Sequence, residues 1–217
     1  MMQKLVFILL IFLGIQGPIN AKDARTSENH RFYFGVLGGA GSTTWRGLVP
    51  NLENQNMALS ISTPIEAKEG GAVWGGFVDY ELSPYFAMEA NYIRFPNATV
   101  TFDPWSLFAF NNHGQTQLTT KTDTLSVLAK VMMKIANSNW RLYSGAGVSR
   151  LHRRDFVVDK SSYSPTFIVG MNTPIHPHFL AEISGQYTAG YGESNLNPSD
   201  TYMPFLYAIM VKLAYVV

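Results

Sequence analysis

The chain contains no cysteine. That excludes a disulfide scaffold, and it excludes the lipid-modified cysteine of a lipoprotein. Charge of one sign is also missing: the formal net charge is +1 at pH 7, so electrostatics point neither to nucleic acid nor to an acidic partner. Long hydrophobic runs are absent too. The run Leu5–Ile15 is eleven residues, against about 20 for a membrane-spanning helix, and nothing after Ile15 begins a longer one. Any membrane span must therefore be built from strands.

The run that is present reads as the core of a signal peptide. Lys4 precedes it, Gly17-Pro18 break it, and Ile19-Asn20-Ala21 place a small residue at the cleavage point. Residues 1–21 are expected to be the signal and residues 22–217 a single β-barrel domain. An exported domain of this size suits one fold unit.

The most informative stretch is Gly71–Phe95. Ala72, Trp74, Gly76, Val78, Tyr80 and Leu82 alternate with Val73, Gly75, Phe77, Asp79 and Glu81. After Ser83-Pro84, Phe86, Met88, Ala90 and Tyr92 lie opposite Glu89 and Asn91. This is a hairpin with one apolar face and one carrying carboxylates. Each arm is about 11 residues, the length a tilted strand needs to cross a bilayer and about twice that of an average soluble strand.

The same alternation recurs along the chain. Phe32–Gly41 is an expected strand whose glycines suit a curving barrel wall. Leu125, Val127, Ala129, Val131, Met133 and Ile135 share a face opposite Ser126, Leu128, Lys130, Met132 and Lys134. Further strands are expected over 140–151, 163–173, 179–188 and 205–217. Between them, 42–70, 96–117, 151–162 and 190–200 read as loops, and Ser83-Pro84, Ala136–Asn139 and Pro174–His178 as turns. Antiparallel neighbours put successive connections at opposite ends, so the long loops share one end and the short turns the other. The expected fold is all-β: an eight-stranded antiparallel up-and-down transmembrane β-barrel, with short periplasmic turns and longer external loops.

The runs Gly75–Tyr92 and Tyr143–Val148, together with the terminal strand, make the chain resemble the OmpA/OmpX-type family of small outer-membrane β-barrels. The resemblance implies an outer-membrane protein with a structural or surface-interaction role, without cofactor. It also implies contact with outer-membrane lipids and lipopolysaccharide, with the barrel-insertion machinery through Tyr215 and the apolar tail, and with a host or surface ligand through the external loops. A secreted lipocalin, also an eight-stranded barrel, is the rival fold, but lipocalins end in a helix. A lipid-modifying enzyme and a narrow small-solute channel are the alternative functions. Lipid-hydrolysing barrels resemble one another in a His-x-Ser pair, base beside nucleophile. His30, His113, His152, His176 and His178 all lack a serine two residues later, so no hydrolysis is expected.

Other candidates are weaker. His176-Pro177-His178 lacks a third metal ligand and reads as a polar turn. His152-Arg153-Arg154 reads either as a contact for lipopolysaccharide phosphates or as a solvated charge run. Phe102, Trp105, Phe108 and Phe110 would dock a partner or, as favoured, pack on one another. Inward positions carry Asp79, Glu81, Glu89 and Glu182 against Lys130, Lys134, Arg141 and Lys212. Glu89, Lys130, Arg141, Glu182 and Lys212 lie near mid-strand and are the candidates for a central charge network. Removing Arg141 from such a centre would cost about 3–5 kcal/mol.

Overall fold

The structure, a computed structural model, describes residues 31–45, 64–191 and 202–217. The expected signal segment and most of the expected loops 42–70 and 190–200 lie outside them. Ten strands are present among the described residues: β1 (Arg31–Thr43), β2 (Pro64–Lys68), β3 (Gly71–Ser83), β4 (Phe86–Arg94), β5 (Ala98–Phe102), β6 (Gln117–Lys134), β7 (Arg141–Arg154), β8 (Asp159–His176), β9 (Phe179–Thr188) and β10 (Leu206–Val216). One short helix, α1, covers Leu107–Asn111.

Eight of these strands close a barrel in the order β1-β3-β4-β6-β7-β8-β9-β10, every neighbour antiparallel. The seam is β1 against β10, running from Tyr33 opposite Val216 to Thr43 opposite Leu206. Closure leaves no barrel edge, so wall backbone groups find partners without water.

Alternation decides which side chains meet what. Val36, Val127, Val131, Val169, Ile209 and Val211 point outward and are more than half exposed. Their in-strand neighbours Leu128, Lys130, Ile168, Met210 and Lys212 point inward and are at most 1% exposed. A soluble barrel would not display such a continuous apolar wall to water. Its exterior is a lipid-facing belt. Aromatics rim it: Phe34 and Phe179 pack on Tyr215 at centroid distances of 6.1 and 5.6 Å, and Tyr187 stacks on Phe205 at 6.2 Å at the other end. Among the described residues no helix is long and apolar enough to cross a membrane.

The turns lie at one end. Ser83 Oγ accepts from the Tyr85 and Phe86 amides at 3.2 and 3.1 Å, which closes the β3–β4 turn. In the β6–β7 turn Asn137 takes φ 57°, a conformation asparagine tolerates better than most residues.

Four expected connections need correction, the first being 42–70, of which 64–68 form β2. The segment 96–117 is not irregular: Ala98, Val100 and Phe102 are buried on β5, which pairs with both β2 and the outer end of β6. Their short alternation was a strand signal. The segment 151–162 is not a loop either, because β7 runs to Arg154, β8 starts at Asp159, and only 155–158 turn. Its charges sit beyond the apolar belt where water reaches them, so they do not interrupt pairing. The turn 174–178 shrinks likewise, since β8 continues through an irregularity to His176.

Candidate functional site

Inside the barrel, β3, β4, β6, β9 and β10 each send one ionisable side chain to a common centre. Lys130 Nζ donates to Asp79 Oδ2 and, at 2.8 Å, to Glu89 Oε2. Glu182 Oε2 lies 3.6 Å from it. Lys212 Nζ donates to Glu89 at 2.7 and 2.8 Å and lies 2.8 Å from Glu182 Oε1. Both ammonium groups also sit over aromatic faces, Lys130 at 4.5 Å from the Tyr143 ring centroid and Lys212 at 4.8 Å from that of Phe77. Tyr143 donates its hydroxyl to Glu182. Three carboxyls thus share two ammonium groups, all of them essentially inaccessible to solvent.

Polar side chains extend the network toward the loop end. Asn91 Nδ2 donates to Glu89 at 2.7 Å and to Gln186 Oε1 at 3.0 Å. Gln186 Nε2 donates to Ser126 Oγ at 3.3 Å, and Ser126 and Ser149 share a 2.6 Å hydrogen bond. Buried polar groups need such partners, and in low dielectric the chain of bonds stiffens the interior. Above them stand the buried hydroxyls of Thr120, Thr122 and Thr124.

The structure brings four of the five sequence candidates together: Glu89, Lys130, Glu182 and Lys212. Arg141 is not among them. It sits at the turn end, 2.7 Å from Glu81 and donating to Asn172 Oδ1 at 2.9 Å. Near-middle position in a strand does not fix height in a barrel whose strands are staggered. Asp79 takes the place that Arg141 was expected to fill beside the centre, and Lys134 is exposed. Arg141 is 17% exposed and borders a cavity of about 420 Å³ at the turn-end mouth with Arg31, Tyr33 and His176. Arg141→Ala should therefore cost about 1–2 kcal/mol, between an exposed pair and a buried one. Urea unfolding in micelles reads this directly; a loss of 4 kcal/mol or more would return Arg141 to the network.

The loop end is closed by a second, apolar cluster. Trp45, Ala98, Val100, Phe102, Phe108, Leu118 and Tyr202 pack together. Phe102 and Phe108 stack at 3.9 Å, and α1 is started by Ser106 Oγ accepting from the Ala109 amide at 3.1 Å. Arg153 braces this cap from beneath: it donates to Asp155 at 2.7 Å and to the Tyr202 carbonyl at 2.8 Å, and lies 4.7 Å from the Trp45 ring. Burial raises the Tyr202 hydroxyl above the usual phenol range, keeping it a donor to the Thr44 carbonyl at 2.8 Å. The run 152–154 is thus divided, with Arg153 inside and His152 and Arg154 on the outer wall.

The four loop aromatics also divide. Phe102 and Phe108 pack inward, whereas Trp105 and Phe110 are 95% and 84% exposed. Of the serines inside, Ser126 and Ser149 bind each other, while the described histidines occupy the outer wall, a loop and a turn. Among the described residues no cluster of three or more metal-ligating side chains occurs; His178 stacks on Tyr215 at 5.8 Å and His176 lies 6.0 Å from the Phe179 ring, so both pack at the turn end of the wall.

An eight-stranded barrel with a lipid-facing belt, a filled polar interior and a capped loop end defines a small integral membrane barrel. By sequence the chain matches no family model and no curated protein. By structure it is similar to the outer membrane protein OprG of Pseudomonas aeruginosa, with TM-score 0.51 and 14% identity over 87% of this chain and 96% of that one. It is similar also to the N-terminal β-barrel domain of Pseudomonas aeruginosa OprF (TM-score 0.50, 9% identity, 86% and 97% covered) and to Neisserial surface protein A (TM-score 0.50, 10% identity, 85% and 96% covered). The chain has the fold of the small outer-membrane barrels of OmpA/OmpX type.

Proposed function

We propose that the protein is exported by residues 1–21, inserted in the outer membrane with the loop end outward, and acts there by surface contact, without catalysis and without a cofactor. The observation that carries this reading is the loop end itself. An apolar cap is built over the barrel, and Trp105 and Phe110 stand on it fully displayed to water. Large aromatics this exposed, outside the apolar cluster of the described residues, are the side chains that anchor protein contacts. The ligand expected is a host or surface protein. Bacteria displaying the barrel should bind a cultured-cell monolayer, and the double change Trp105→Ser, Phe110→Ser should weaken binding by about thirtyfold or more, as loss of a hot spot does. Undiminished binding by a correctly displayed variant would sink the reading.

The solute-channel alternative is disfavoured by what fills the lumen. Lys130, Lys212, Glu89 and Asp79 cross its middle with their side chains buried, and an eight-stranded wall leaves room for side chains and little else. In planar bilayers the protein should show no large, steady conductance. Stable open channels would support the alternative instead.

A further inference from the structure

The outer wall is not uniform around the barrel. On β4, β6, β7 and β8 the apolar belt ends in register, with Tyr92, Leu125, Arg150 and Tyr163 side by side. One row further out come Arg94, Asp123, His152 and Ser161, and beyond it Lys121, Arg154 and Asp159. Among the described residues this arrangement places cations immediately above lipid-facing side chains on one side only. The outward-facing described residues of β1, β3, β9 and β10 include no lysine or arginine.

The two carboxylates of the patch are already engaged. Asp123 is 3.2 Å from Arg94 and 3.5 Å from His152, and Asp159 is 2.8 Å from His152 Nε2. Among the described residues Lys121, Arg150 and Arg154 pair with no carboxylate, and Arg150 donates only to Ser161 Oγ, at 3.1 Å. Arg150 and Arg154 project from the same face of β7, about 13 Å apart at about 3.3 Å per residue. Lys121 stands directly opposite Arg154. Below them Leu125, Val127, Val148 and Phe167 offer a half-exposed apolar surface.

We infer that this wall of β6, β7 and β8 is a binding site for the phosphorylated headgroup of an outer-leaflet lipid. Arg150, Arg154 and Lys121 donate to its phosphate oxygens, and its acyl chains lie along Leu125, Val127, Val148 and Phe167. Uncompensated cations at headgroup height favour a phosphorylated headgroup, and the apolar surface directly beneath selects a lipid over a soluble phosphate. The site depends on the membrane-spanning, loops-outward placement and not on the surface-contact role of Trp105 and Phe110.

The test uses the folded barrel in phosphatidylcholine nanodiscs doped with bisphosphorylated lipid A or with its dephosphorylated form. Binding is followed as lipid A retained per barrel by native mass spectrometry. The triple change Lys121→Gln, Arg150→Gln, Arg154→Gln should weaken retention about 100-fold, each basic side chain at an anionic surface contributing about fivefold. Lys68→Gln, beyond the bare wall, should leave it unchanged. Amide hydrogen exchange on the wild type needs no variant: bisphosphorylated lipid A should protect the outer ends of β6, β7 and β8 and leave those of β1 and β10 as they were. Equal protection around the barrel, equal effect of the dephosphorylated lipid, or a triple variant that retains lipid A as the parent does would overturn the site. So would inorganic pyrophosphate protecting the same amides as strongly in lipid-A-free discs, which would make it a site for free phosphate.

Discussion

Lys130→Ala is expected to destabilise the barrel by about 3–5 kcal/mol, the range for breaking a buried ion pair from one side. Lys130 is 0% exposed and touches all three carboxyls of the central cluster, Asp79, Glu89 and Glu182. With it gone, three carboxyls would face Lys212 alone, and Asp79 would lose its lysine partner. Glu89→Gln is the informative contrast. It leaves two carboxyls for two ammonium groups, with Lys130 still on Asp79 and Lys212 still 2.8 Å from Glu182. The neutral variant should cost only about 1–3 kcal/mol, the scale of disturbed buried hydrogen bonds. Urea unfolding in detergent micelles, followed by tryptophan fluorescence, ranks the two. A Lys130→Ala barrel as stable as the parent, or one more stable than Glu89→Gln, would show that charge count does not organise the interior.

Much of this was legible in the sequence because a bilayer-spanning strand has one rule. Alternate residues meet lipid or lumen, so the faces of 72–82, of 125–133 and of the terminal strand follow from period-two pattern alone. Membership of the charge cluster follows in part for the same reason, since Glu89, Lys130, Glu182 and Lys212 are polar residues on lumen-facing positions. Height is another matter. Whether an inward residue reaches the centre depends on the stagger between strands, which sequence spacing does not encode. That is why Arg141 belongs with Glu81 near the mouth and Asp79 with Lys130. The paired extensions of β7 and β8 beyond Leu151 were hidden by their own charges. In a soluble sheet such a run ends the strand; above a lipid belt the pairing continues into water.

The last expectation concerns a contact that no alternation pattern reveals. Gly147 lies on β7 beside Leu128, with its α-carbon turned to the lumen. A Cβ built there would come within 1.9 Å of the Val127 carbonyl oxygen and 2.8 Å of the Leu128 α-carbon. Both are backbone atoms of β6, so no side-chain rotation relieves the collision. Gly75 stands in the same relation to β4, at 1.9 Å from the Tyr92 carbonyl oxygen. The neighbouring strand comes so close at these positions that only a residue without a side chain fits. Gly147→Ala should cost about 1–3 kcal/mol, the usual range for overpacking. Gly147→Val, with two further methyl groups in the lumen, should exceed it and cut folding yield. Gly185→Ala is the control, because its Cβ would meet nothing nearer than 3.9 Å, the Val169 side chain. The assay is refolding into micelles followed by gel mobility with and without heating, which separates folded from unfolded barrels. If Gly147→Val folds as completely as Gly185→Ala, the close approach of β7 to β6 is not what shapes the barrel.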